Sequence, residues 1–444
     1  ITPPRPTPPT PRGDDDGSDD SKKTLFVGHR TLFDGSLDEE VGLYYENIRK
    51  HVAILGGSGS GKTVLLRRIV EEAALAGAPS LVFDCAGDLT QLGQAWAAEP
   101  PQWLEGDRAK AQKYLAATEV VVWTPGRSNG NPFSFPLIPD LRESAGENGD
   151  PEDFLDLENQ IAFASDNLRA AMGVAKFKQE KSAALAVALR AMAHGDGEIT
   201  VPGLIRRLKI LAASDEGDYP QELFEGARKV ASDLELAAFR DQSLRDAKFN
   251  RVEELFLSPS GKTRVSVISL STIESPLRQQ IAARSILNSV FSFMKNHNPK
   301  YLNGLIVIDE AKELAPSVRS TPSKEVIIRL ATMARKYGYG LIVASQDVTS
   351  VDNRVINNCD VLFVGKLSAP NAISTARAIL QSPNADLPRL GAGEFFLKTS
   401  MAGFRDPRKI RAPFCLSSHP PTPPNETEIL ALARASRPAT PAGD

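Results

Sequence analysis

Short uninterrupted apolar runs punctuate this chain and set its class before any motif is considered. They recur at 52–55 (VAIL), 80–84 (SLVFD), 119–124 (EVVVWT), 264–270 (RVSVISL), 305–309 (LIVID), 341–345 (LIVAS), 361–365 (VLFVG) and 394–398 (EFFLK). Continuous rather than alternating apolarity is the pattern of strands covered on both faces, and helical periodicity separates most of these runs. The rhythm predicts an α/β core with a mostly parallel sheet between helix layers. Between about 142 and 258 it stops, and apolar positions return at helical spacing over 152–171, 178–193, 202–212, 220–239 and 241–257. The expected layout is a core of residues 24–141 and 259–415 with a helical bundle, 142–258, inserted in it.

The ends read differently. Residues 1–23 are Pro/Thr-rich and then Asp/Gly/Ser-rich, the composition of an extended, disordered linker. A linker joins two things, and the chain begins with Ile, so a further domain is expected upstream. Residues 416–444 read as a Pro-rich tail with a short helix near 426–435.

Composition changes the picture little. With 41% hydrophobic and 24% charged residues the chain is ordinary globular protein, and its net charge of −3 gives no global attraction to nucleic acid. Any such contact needs local basic loops, and 312–324 and 176–181 are the candidates. Lys176, Lys178, Lys181, Arg240, Arg245, Lys248 and Arg251 could form a nucleic-acid face on the bundle, although a solvated helix surface is the stronger reading for any one of them. Cys85, Cys359 and Cys415 are far apart, without CxxC spacing or a matching histidine set, which argues against a zinc site or disulfide framework. There is no signal peptide and no apolar run of the ~20 residues that a bilayer-spanning helix needs, so a cytoplasmic protein is expected.

The chemistry is concentrated at strand ends. Gly56-Gly57-Ser58-Gly59-Ser60-Gly61-Lys62-Thr63 follows the first strong strand and precedes a helical pattern (Val64, Leu65, Leu66, Ile69, Val70), filling every position of GxxxxGK[ST]. Its glycines let backbone N–H groups wrap a phosphate, Lys62 reaches the outer phosphates, and the Thr63 hydroxyl suits Mg²⁺. The Gly261-Lys262-Thr263 triplet is a decoy: Phe256 stands where the first glycine belongs, and a strand follows. Asp309 and Glu310 close the strand LIVI, the first suited to the Mg²⁺ shell and the second to polarising an attacking water. Asp84, ending SLVF, is a candidate for positioning metal or water, and Gln346, after LIVAS, a candidate γ-phosphate sensor. In 323–337, Val326, Leu330, Met333 and Tyr337 form a helical apolar face that Arg335 opposes. Arg335 is thus poised to reach a neighbouring subunit's nucleotide, or is simply solvated.

Taken together, GGSGSGKT, SLVFDCAGDL, LIVIDEAKELAP, MARKYGYGLIVASQD and INNCDVLFVGK resemble the HerA/FtsK superfamily, and within it the HerA-like ATPases, over roughly 24–415. The resemblance implies a RecA-like phosphate-loop NTPase core that binds ATP and Mg²⁺, assembles as a homo-hexamer and translocates double-stranded DNA. It implies a nuclease or other effector partner, in end resection or antiphage defence. Carried over by position, Lys62 and Thr63 match the phosphate loop, Asp309 and Glu310 the metal and catalytic acids, Asp84 the acid after the second strand, and Gln346 the polar sensor. Arg335 matches the trans-acting finger, and Arg49 or Lys50 a second basic residue at the subunit interface. The family's N-terminal β-barrel has no counterpart in the roughly 28 globular residues before the first strong strand. The competing expectation is an ATP-gated ring scaffold that organises an effector and hydrolyses slowly. A transporter-type ATPase does not fit, since LGAGE at 390–394 is a poor match to LSGGQ.

Overall fold

A computed structural model describes residues 23–438 except 33, 134–136, 140, 143–150, 175, 215–218, 241–250, 296 and 299. The linker expected over 1–23 (all but Lys23) and most of the helix expected over 241–257, with Arg245 and Lys248, lie outside the described residues, as does the side chain of Arg240.

The described part opens with an antiparallel hairpin, β1 (Thr24–Thr31) and β2 (Leu37–Tyr44), and the short helix α1 (Tyr45–Arg49). β3 (Val52–Leu55) runs through the glycine-rich loop into α2 (Lys62–Leu75), followed by β4 (Ser80–Asp84), α3 (Asp107–Ala117) and β5 (Thr118–Trp123). Next come the helices α4 (Pro151–Ala171), α5 (Gln179–Ala193), α6 (Val201–Ala212) and α7 (Gln221–Arg240). The core resumes with β6 (Thr263–Ser269), α8 (Pro276–Met294), β7 (Gly304–Ile308), α9 (Ala311–Leu314), α10 (Lys324–Met333) and β8 (Tyr339–Ser345). It closes through α11 (Asn353–Ile356), β9 (Val361–Val364), α12 (Pro370–Leu380), β10 (Glu394–Lys398), β11 (Arg408–Arg411) and α13 (Glu426–Ala435).

The strands form one 11-stranded sheet in the order β2-β1-β11-β10-β9-β3-β8-β7-β4-β6-β5. From β9 to β5 every neighbouring pair is parallel, and from β10 outward to β2 every pair is antiparallel. The antiparallel extension uses 24–44 and 408–411, which the apolar runs do not mark. Only half of such a strand is apolar: Leu25, Val27, Val41 and Leu43 are buried, while Asp38, Glu39 and Glu40 of β2 are exposed. Exposed acids on an edge strand discourage further pairing.

In the parallel strands the period of two feeds two cores, one on each face. Ala53, Leu55, Leu81, Phe83, Ile306 and Ile308 join one apolar cluster, and Val52, Ile54, Val82, Leu305 and Val307 join the other. A third cluster, with Leu185, Leu189, Leu204, Leu208, Val230 and Leu234, lies within α4–α7.

The segment from residue 416, expected to be a tail, is packed against the core as far as α13. The P-loop helix α2 buries Arg67, Arg68 and Glu71 completely. Glu71 accepts hydrogen bonds from the Leu416 N–H at 2.7 Å and the Ser417 N–H at 2.8 Å, and Arg67 donates to the Ser417 hydroxyl at 2.6 Å. Buried charges persist when so paired. α13 then lays Ile429 against Gly87 and Leu430 against Gly130, and the Ser436 hydroxyl takes the Val122 N–H of edge strand β5 at 2.9 Å. No described helix is long and apolar enough to cross a membrane.

Candidate active site

β3 lies between β8 and β9, so the glycine-rich loop sits at the C-terminal edge of the parallel strands. Gly59 and Gly61 have φ of 71° and 91°, the left-handed region that glycine enters freely. At Gly61 the need is also steric, because a Cβ would stand 2.7 Å from the Gly393 nitrogen. A Cβ on Gly56 would stand 2.9 Å from the Ser60 hydroxyl and 3.2 Å from Gly365 Cα. The loop is pinned from outside: Gly57 N–H donates to Lys366 O at 2.7 Å, and Gly393 N–H to Ser60 O at 2.9 Å. Gly393 belongs to the LGAGE segment, which therefore backs the phosphate loop.

Lys62 is buried, and its ammonium donates to the Gly57 carbonyl at 3.0 Å. Burial lowers its pKa, opposed by Glu310 and Asp309. Ser58 is exposed, Thr63 is half-buried in the first turn of α2, and the buried Ser60 hydroxyl makes no hydrogen bond to protein. A glycine cradle, one lysine and a helix N-terminus fit a triphosphate, and the Thr63 hydroxyl and Asp309 carboxylate are oxygen donors of the kind Mg²⁺ takes.

Asp309 follows β7 and is 6% exposed, its N–H donating to Phe83 O at 3.0 Å. Burial, then Asp84, Glu310 and Asp88, push its carboxyl up to about 8. Asp84 is fully buried and raised to about 6, chiefly by burial. Its geometry adds a part that residue order does not mark. Oδ1 accepts the Ala86 and Gly87 N–H groups at 3.2 and 2.7 Å, and Oδ2 accepts Leu89 N–H at 2.9 Å. Its oxygens are engaged in shaping the loop beside Asp309.

Glu310 has φ 56° and ψ 55°, an unusual conformation for a residue with a side chain. Its Oε2 accepts the Gln346 amide at 2.9 Å, and its Oε1 lies 3.3 Å from both the Gln346 N–H and Lys312 Nζ. The expected sensor is thus bonded directly to the expected catalytic acid. Strand order explains it, because β7 and β8 are parallel neighbours and both residues leave their C-terminal ends. A cleft of about 660 Å³ opens over the loop, lined by Gly57, Ser58, Gly59, Gln346, Asp347 and Lys366 among others.

Arg335 is elsewhere. The helix expected over 323–337 stops at Met333, and Ala334–Tyr337 forms a 3₁₀ turn ended by Gly338 at φ 79°. Val326 and Leu330 are buried, and the Arg335 side chain is 57% exposed with Glu46 at 3.9 Å. It precedes β8, whereas the phosphate loop lies beyond the far ends of these strands. Seven residues of β8 at ~3.3 Å each put roughly 20 Å between the two ends. Glu46 also holds Lys50 at 2.8 Å, so the two basic candidates of α1, Arg49 and Lys50, share this end of the sheet with Arg335.

Behind Arg335 stands His51, which sequence spacing does not single out. It has φ 74° and is 2% exposed, and its Nδ1 accepts the Leu341 N–H at 2.9 Å. Burial lowers its pKa from 6.5 to about 4, against a hydrogen bond to the Ala331 backbone. The folded value lies below the unfolded one, so His51 contributes stability that is present above about pH 6.5 and lost as pH falls towards 4. At ~1.4 kcal/mol per unit the loss totals roughly 3 kcal/mol. Urea unfolding at pH 7 and pH 4.5 is expected to show a smaller acid loss in His51→Gln than in the wild type; equal losses would reject the assignment.

The family model described as the central domain of helicase HerA matches residues 30–290, and a model for zonular occludens toxin (Zot) matches 260–364. The chain is similar to the probable helicase MJ1565 of Methanocaldococcus jannaschii, with 24% identity over 150 residues covering 32% of this chain and 29% of that protein. In fold it is similar to VirB4 of Thermoanaerobacter pseudethanolicus, with TM-score 0.55, 15% identity, and coverage of 90% of this chain and 96% of that one. Plasmid coupling protein TrwB in complex with ADP and Mg²⁺ gives TM-score 0.51 at 14% identity, covering 90% and 97% of the two chains. These likenesses agree with a RecA-like phosphate-loop fold.

Proposed function

This chain belongs to the HerA central-domain family, and on that premise we propose that it is the ATP-hydrolysing core of a homo-hexameric motor that translocates double-stranded DNA. The observation that carries the assembly is the position of Arg335, exposed at the sheet end opposite its own phosphate loop. A chain whose finger lies roughly 20 Å from its own site completes that site with a neighbour's residue.

In this reading the glycine loop and Lys62 bind and orient the triphosphate, and Glu310, aimed by Gln346, takes a proton from the attacking water. Thr63 and Asp309 hold Mg²⁺, which neutralises phosphate charge when bound. Asp84 keeps the neighbouring loop in place. Lys62→Ala is expected to weaken ATP binding by about 10²-fold, since a charge-assisted contact to phosphate is lost. Equilibrium titration with a fluorescent ATP analogue measures this, and unchanged affinity would remove Lys62 from the site.

DNA contact is assigned to the loop after the acids. Within 312–324, Lys312 is occupied by Glu310 and Lys324 is buried, so Arg319, exposed beside Val318, is the residue available to a phosphate backbone. In the other candidate stretch Lys176 and Lys178 are exposed, and Lys181 is paired with Asp233 at 2.7 Å. The decisive measurement is ATP turnover with and without long duplex DNA, joined to particle images with ATP. Stimulation and a ring around DNA are expected. A ring that turns over slowly and ignores DNA would instead establish the scaffold. A nuclease or other effector partner in DNA processing or antiphage defence remains part of the proposal, testable by co-purification.

A further inference from the structure

Two loops leave the catalytic strands, one after Glu310 on β7 and one after Gln346 on β8, and they are knitted together. Pro316 and Val351 form an antiparallel bridge, Ser317 N–H donates to Ser350 O at 2.8 Å, and Asp352 N–H to Ala315 O at 3.0 Å. Beneath the bridge the Lys324 ammonium meets Asp352 Oδ2 at 2.9 Å, each side chain 9% exposed. The same ammonium lies 3.2 and 3.3 Å from the carbonyls of Ser317 and Arg319. Thr321 and Ser323 hydroxyls both donate to Leu314 O, at 2.7 and 2.6 Å. Past these fastenings the chain projects Val318, 92% exposed, with Arg319.

An ammonium this buried has few partners available, and those among the described residues are all on the two loops. The Arg354 guanidinium also contacts Asp352, at 3.1 Å, but it is largely exposed and reaches neither the Ser317 nor the Arg319 carbonyl. Lys324 therefore joins the sensor loop to the projecting tip. We propose that the Lys324–Asp352 pair is a coupling clamp, a positioning device that passes the state of the Glu310–Gln346 bond to the Val318–Arg319 tip. One end of the knitted unit is bonded to the catalytic glutamate and the other is free in solvent, so a change at the first is carried to the second only while the fastening holds. The inference rests on the reading of this pocket as an ATP site, and it does not depend on what the tip touches.

The test places an environment-sensitive dye on Val318→Cys in the full chain and records its response to a non-hydrolysable ATP analogue with Mg²⁺. The wild-type background is expected to respond. Lys324→Met, which keeps length and removes charge, is expected to bind the analogue within about threefold of wild type while losing most of the dye response. Asp352→Asn breaks the pair from the other side and is expected to do the same, and Lys324→Arg, which keeps the charge, to retain the response. A dye signal that survives in both Lys324→Met and Asp352→Asn, or that is absent in the wild-type background although the analogue binds, overturns the clamp. Failure of the analogue to bind the wild-type background would instead overturn the reading of the pocket. A normal clamp response with no change on adding duplex DNA would overturn the assignment of the tip to DNA and leave the clamp standing.

Discussion

Glu310→Gln is expected to bind ATP with near wild-type affinity and to release phosphate about 10²–10⁴-fold more slowly, the range that a positioned general base contributes. The substitution keeps the length of the side chain and leaves an oxygen to accept from Gln346, whose amide now lies 2.9 Å from Oε2. What disappears is the basicity. Lys62 and the loop backbone are untouched, so binding and turnover should separate. Parallel measurement of nucleotide affinity and steady-state phosphate release checks this. Equal loss of both would mean that Glu310 holds the loop rather than the water, and unchanged turnover would move the base elsewhere. Gln346→Ala should give a milder version, because the carboxylate would keep its chemistry and lose its aim.

Arg335→Ala is expected to lower turnover by about 10³–10⁵-fold in assembled protein while leaving ATP binding to isolated chains unchanged. The residue lies in the 3₁₀ turn before β8, 57% exposed, and contacts only Glu46 at 3.9 Å among the described ion pairs, so its removal costs the fold little. A mixing experiment separates a finger acting between chains from one acting within a chain. Arg335→Ala and Glu310→Gln are each inactive alone, but co-assembled in equal amounts they should recover about a quarter of wild-type turnover. The reason is that a site with intact Glu310 then meets a neighbour with intact Arg335 in about one pairing of four. No recovery, with co-assembly verified, would place Arg335 in its own chain's catalysis or outside catalysis altogether.

The parts of this site that could be read in the residues alone share one property: they depend on neighbours in the chain. A phosphate loop needs glycines, lysine and threonine in consecutive positions between a strand and a helix, and 56–63 supplies all of them. Asp309 and Glu310 announce themselves because four apolar residues precede them. The Glu310–Gln346 bond, by contrast, joins residues 36 positions apart, and only the adjacency of β7 and β8 brings them together. Asp84 shows the same dependence. Its place at a strand end points to the crevice, yet the turn that follows supplies three N–H groups and occupies the carboxylate. Strands β1, β2 and β11 of the antiparallel extension escaped notice because polar residues interrupt each of them, which leaves no long apolar run. Along α2, Arg67, Arg68 and Glu71 are buried and bonded to the segment after β11, at Ser417, Phe414 and Ser417 in turn.

Residue order by itself determined the α/β class, the phosphate-binding loop and the acids beside it, because local backbone sterics and strand periodicity are enough to specify them. Tertiary structure alone decided which acid is bonded by its own following turn, which glutamine meets Glu310, and how the loops after β7 and β8 are fastened through Lys324 and Asp352. It also put Arg335 at the far end of the sheet from the loop of its own chain. These outcomes rest on strand order and burial, where residues distant in the chain compete for the same N–H groups and charges, and no local pattern records the result of that competition.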